Sequence, residues 1–141
     1  MTPLASVALA AVIALQAIPN GTGQSSKAAS IIGTRRGTST CTDRVVTPAC
    51  NDEEVIYDFT AGDKIGVVHW IAGKVVNGKR EDMGEFDLTF DTSDSSWKAQ
   101  FGSPRPTIEW RVVVIGDRIA GTGRHLPGKE IVRQIDVRRV R

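Results

Sequence analysis

From Ile31 onward, apolar and polar side chains alternate with a period of two in segment after segment, and no run repeats at the 3.6 residues of a helix. Such alternation describes an extended strand with one face against a core and the other in water. In Glu85 to Asp91 (EFDLTFD), Phe86, Leu88 and Phe90 face one way, and Glu85, Asp87, Thr89 and Asp91 the other. The turn-rich stretch 92–96 (TSDSS) then leads into Trp97, Ala99 and Phe101, predicting a hairpin. Ile108, Trp110, Val112 and Val114 share one side of the next strand, and Gly116-Asp117 supplies a two-residue turn out of it. The last segment places Ile131, Arg133, Ile135, Val137 and Arg139 on one face. Upstream, Val55, Tyr57 and Phe59 alternate, Ala61-Gly62-Asp63 turns into a strand from Ile65 to Ala72, and Asn77-Gly78 marks a further reversal.

With Ile31 to Cys41 as the first, this makes eight or nine short strands with a turn about every ten residues, the spacing of an antiparallel meander. Strands joined by tight turns do not readily form a parallel sheet, and so many amphipathic strands must close or stack to hide their apolar faces. The expected fold is therefore all-β: a closed antiparallel up-and-down barrel, with a β-sandwich as the alternative. Composition agrees with one globular domain. The 141 residues are 40% hydrophobic and 24% charged, with a net charge of +2, which argues against a disordered chain, a coiled coil or a multi-span membrane protein.

The amino-terminal end reads differently. Leu4 to Ile18 is an almost unbroken apolar run, and every Lys and Arg lies at position 27 or later. The run is short for a permanent anchor and suits a cleaved secretory signal at residues 1–18, followed by a flexible lead at 19–30 and the barrel domain at 31–141. Export would carry the chain to an oxidising compartment, secreted or periplasmic, where Cys41 and Cys50 are expected to form a disulfide. Such a bridge closes a loop of about ten residues and stabilises by about 2 to 3 kcal/mol. C-x8-C is not zinc spacing, so no metal is expected there.

Two segments resemble a known family. Gly33 to Cys41 (GTRRGTSTC) is similar to the opening G-x-W strand of lipocalin-like (calycin) barrels, and Ile115 to Thr122 (IGDRIAGT) to their late hairpin, as in small secreted bacterial barrels of this kind. Arg35 stands where that family places its opening Trp. In the family, that Trp plugs one barrel end beneath an Arg from the last strand, for which Arg139 or Arg138 would be the counterpart. The resemblance implies a cup for a small apolar or amphiphilic molecule.

Catalytic and nucleotide chemistry find little purchase. Gly123 to Glu130 matches the front of a phosphate-binding G-x-x-x-x-G-K loop, but Glu130 replaces the magnesium-facing hydroxyl, and a strand rather than a helix follows. His69 and His125 lie far apart with no obvious carboxylate companion, and no G-x-S-x-G elbow occurs. No enzymatic activity, cofactor or metal is expected. Charge is unevenly spread: Glu81 to Asp94 holds six acids and no base, whereas Arg118 to Arg141 holds seven bases and two acids. Closure of first strand on last would add Arg35 and Arg36 to the basic side. Without aromatic residues among these bases, nucleic acid is not an expected partner.

Tyr57, Phe86, Phe90, Trp97, Phe101 and Trp110 share the inward parity of their strands, as do Arg133 and Arg139. Rings of this kind fill a core or line a cavity, and an inward Arg calls for a partner, either a ligand head group or local carboxylates and carbonyls. The expected function is a secreted binding protein holding a small apolar or amphiphilic ligand, anionic ones included, on these eight residues. The alternative is a protein-binding module or inhibitor that meets an envelope or extracellular partner through its loops and charged faces. A cavity of about 300 Å3 or more separates the first from the second.

Overall fold

The computed structural model describes residues 22–102 and 104–141, so the signal segment expected at 1–18 lies outside the described residues. One helix precedes eight strands: α1 (Thr22–Ile31), β1 (Gly33–Cys41), β2 (Glu53–Ala61), β3 (Val67–Val76), β4 (Lys79–Asp91), β5 (Ser96–Phe101), β6 (Ile108–Ile115), β7 (Arg118–His125) and β8 (Ile131–Arg139). Each strand pairs antiparallel with the next, and β1 closes on β8 to complete the barrel. Closure gives every strand a neighbour on both sides, so the sheet has no free outer strand, although β4 meets β5 only over Thr89 to Asp91.

Turn chemistry explains the connections. Between β3 and β4, Asn77 (φ 52°) and Gly78 (φ 76°) both occupy the left-handed region that a tight two-residue hairpin turn needs. Gly116 (φ 60°) does the same between β6 and β7. The strands' inward parity holds almost throughout: Val55, Tyr57, Phe59, Val68, Trp70, Leu88, Trp97, Val112, Ile119, Ile135 and Val137 form the buried core.

Two expectations need correction. Residues 22–30, read as part of a flexible lead at 19–30, form with Ile31 a helix that lies against one end of the barrel, with Ile31 fully buried and Ala28 and Ile32 packed on the core. The helix has no amphipathic stripe to betray it in sequence; its last turn is recruited by tertiary packing. The second correction concerns β8. The β7–β8 register slips between Gly123 and Arg124, so Arg124 faces Ile131 while Gly123 faces Arg133. The slip turns Val132 inward and leaves Ile131 exposed, reversing the sides expected for both.

Closure also brings Arg35 opposite Arg139 and Arg36 opposite Arg138. Arg35 has no solvent exposure at all. Its Nη2 donates to the Ser30 carbonyl (3.2 Å), and Arg139 Nη1 donates to the Ile32 carbonyl (3.1 Å). Two cations thus face the carbonyl end of α1, where the helix dipole is negative. Where the resembling family sets a Trp under an Arg, this chain sets two guanidinium groups under a helix terminus. Burial, and then the charge of Arg139, hold the Arg35 guanidinium below its ordinary pKa.

Candidate functional site

The strand directions give the barrel two unlike ends. At the base lie α1, the β2–β3, β4–β5 and β6–β7 turns, and the C-terminal end of β8. At the mouth lie the long β1–β2 connection and the β3–β4, β5–β6 and β7–β8 loops. The base is filled. Phe90 packs edge-on against Trp97 with ring centroids 5.1 Å apart, and the Lys27 ammonium sits 4.9 Å from the Phe90 centroid.

The mouth half is not filled. A cavity of about 570 Å3 opens there, walled by rings from Tyr57, Trp70, Phe86, Phe101 and Trp110. Trp70 is the hub of this wall, with Tyr57 and Phe86 each at 5.0 Å, Trp110 at 5.6 Å and Phe59 at 5.7 Å, centroid to centroid. Its indole Nε1 is buried and has no hydrogen-bond partner among the described residues. Trp110 lies across the backbone of β7 because Gly123 opposite it has no side chain; a Cβ there would come within 2.9 Å of the ring. Phe101 reaches the rim, 52% exposed.

Part of the wall is the disulfide loop. Cys41 and Cys50 are bonded, and Thr47, Pro48, Ala49 and Cys50 border the cavity. The loop is tied locally: the Asp43 carboxylate accepts from the backbone N–H groups of Val45 and Val46, and Arg44 Nη1 donates to the Cys50 carbonyl (2.6 Å). The cation in the wall is Arg133. Its Nη1 donates to Ser39 Oγ (2.7 Å), its Nη2 to the Asn51 carbonyl (2.8 Å), and Glu53 Oε2 lies 3.5 Å from Nη1. Burial pushes the Tyr57 hydroxyl well above its ordinary pKa, against the opposing pull of Ser39 and Arg133.

Of the eight residues expected to hold a ligand, Tyr57, Phe86, Phe101, Trp110 and Arg133 come together around this cavity. Phe90, Trp97 and Arg139 do not; they share the inward parity but belong to the base. Trp70, Ala72, Met83, Ser39 and Glu53 also line the cavity and were not singled out in sequence. For Trp70 and Ala72 the signal was present, since they alternate with the outward-facing His69 and Ile71 on a strand whose Val68 is buried.

His69 does have carboxylate companions, contrary to expectation. On the outer face of β3, its Nδ1 stands 3.0 Å from Asp87 and its Nε2 3.2 Å from Glu85, both on the paired β4 strand. The hydrogen bond with Asp87, with further help from Glu85, raises the pKa of the ring. This outward ion cluster is on the barrel's exterior and takes no part in the cavity. Among the described residues no cluster of three or more His, Cys, Asp and Glu side chains suits a metal ion, and no helix is long and apolar enough to cross a membrane. No protein-family model, no characterised protein and no solved structure matches the chain.

Proposed function

We propose that this chain is an exported, lipocalin-like binding barrel that takes a small apolar molecule into the cup at its mouth. The observation that carries the reading is the contrast within one core: the base is packed with side chains, while the mouth half keeps about 570 Å3 open behind aromatic walls. That volume falls in the range of small-molecule sites, which are mostly apolar with a few placed polar groups. A barrel serving only as a rigid frame for surface loops has no use for the void, because an unfilled apolar space forfeits packing energy. Export is supported by the apolar run at residues 4–18 and by the Cys41–Cys50 bond. The reading is of a carrier or sensor rather than a catalyst.

The test is a titration of detergent-free protein with Nile red, an uncharged apolar fluorophore. Wild-type protein is expected to enhance and blue-shift its emission saturably. Ala72→Phe, which fills the cup from its wall, is expected to abolish the effect while keeping the far-ultraviolet spectrum of the barrel. Equal enhancement by both proteins, or none by the wild type, would overturn the proposal.

A further inference from the structure

Resting on the binding reading above, we infer that the cup selects uncharged ligands over anionic ones, and that Glu53 is the residue that sets this preference. An Arg in an apolar pocket ordinarily invites a carboxylate or phosphate from the ligand. Here the invitation is already answered. Glu53 on β2 and Arg133 on β8 flank the intervening strand β1, with Glu53 paired to Ser39 and Arg133 paired to Cys41. Both side chains border the cavity, and both are only about one-fifth exposed, with 20% for Arg133 and 21% for Glu53. Their opposite charges lie 3.5 Å apart, so the wall presents no net charge to whatever enters.

Both amino groups of Arg133 also donate within the chain, one to Ser39 Oγ and the other to the Asn51 carbonyl. An anionic ligand would shed its water on entering a ring-lined space and find no free cation to compensate it. An uncharged ligand loses nothing of the kind. Its polar atoms can meet the Ser39 and Tyr57 hydroxyls, which border the same space. Removal of the Glu53 charge would leave Arg133 uncompensated at the wall and convert the cup into an anion site. Glu53 therefore acts as a specificity-determining residue through its charge on Arg133.

The experiment is calorimetric titration with a matched pair at neutral pH, 2-naphthol (uncharged) and 2-naphthoate (anionic), on the wild type, Glu53→Gln, Arg133→Gln and the double variant. The wild type is expected to bind 2-naphthol at least as tightly as 2-naphthoate. Glu53→Gln is expected to raise the ratio of 2-naphthoate to 2-naphthol affinity about tenfold or more, and the double variant to lose that gain. Should Glu53→Gln fail to fold, Arg133→Gln reads the same balance from the other side, with the ratio of 2-naphthoate to 2-naphthol affinity falling by about tenfold. A wild type that prefers 2-naphthoate, or variants that leave the ratio of the two affinities unmoved, would overturn the inference while leaving the binding proposal intact. No binding of either compound to the wild type would overturn both.

Discussion

Single residues decide the shape of the cup and the cost of the plug. Gly123 is required by a neighbour rather than by its own backbone: the Trp110 ring occupies the space a side chain would take. Gly123→Ala is expected to push that ring into the cavity and weaken Nile red binding several-fold, at about 1 kcal/mol of stability lost to overpacking; the fluorescence titration and urea unfolding read the two effects separately. Arg35 is the opposite case. Its Nε and Nη1 are buried without hydrogen-bond partners among the described residues, beside a second cation, so its charge is poorly compensated. Replacement by an apolar side chain of similar reach, Arg35→Met, is expected to raise stability by about 1 to 3 kcal/mol in urea unfolding. The oddity at Arg35 was visible in sequence only through the resemblance, which implies a Trp at that position. Its answer, the carbonyl end of α1, was not, because nothing in residues 22–31 has the periodicity of an amphipathic helix.

At the scale of elements, the β4–β5 hairpin shows how charge supplements alternation. Lys98 on β5 contacts Asp91 (2.7 Å) and Asp94 (3.2 Å), and Arg111 on β6 reaches Asp94 (3.1 Å). The bond from Lys98, with those from Ser93, lowers Asp91 to about 2, and Ser96, followed by Arg111 and Lys98, holds Asp94 further below the carboxylate range. Both carboxyls are thus depressed on folding, so their stabilising effect is present above the ordinary carboxylate pKa of about 4 and fades as pH falls through the folded values. Asp94→Asn is expected to melt below the wild type at neutral pH, with the gap narrowing progressively as pH falls below about 4 in thermal unfolding followed by circular dichroism. The hairpin itself was legible, because alternation and turn residues are local signals. The slip at Val132 was not: one extra residue in a ladder is settled by the facing strand, and it reversed the sides assigned to Ile131 and Val132.

For the whole molecule, alternation identified which side chains point inward but left their height along the barrel unstated. Phe86 and Phe90 lie on one face of β4, yet Phe86 borders the cavity and Phe90 meets Trp97 in the packed base. Height follows from counting residues between turns in antiparallel strands, and it separates Tyr57, Phe86, Phe101 and Trp110 from Phe90 and Trp97. It separates Arg133 from Arg139 in the same way, one at the mouth and the other beneath α1. The disulfide belongs to this scale because it joins the first strand to a loop that walls the mouth. Cys41→Ser/Cys50→Ser is expected to lose about 2 to 3 kcal/mol in urea unfolding. The same variant is expected to weaken Nile red uptake several-fold, since Thr47 to Cys50 would no longer be held against the cavity.

The division of the interior into a crowded lower half and a vacant upper half separates two obligations that most small proteins must meet with the same atoms. Substitutions at the exposed rim, Phe101 and Met83 among them, can reshape the opening while leaving the buried rings Tyr57 and Trp70 in place. A lineage built on this plan is free to alter its upper rim while its foundation stays put, and the same freedom offers an engineer an opening that can be rewritten one position at a time.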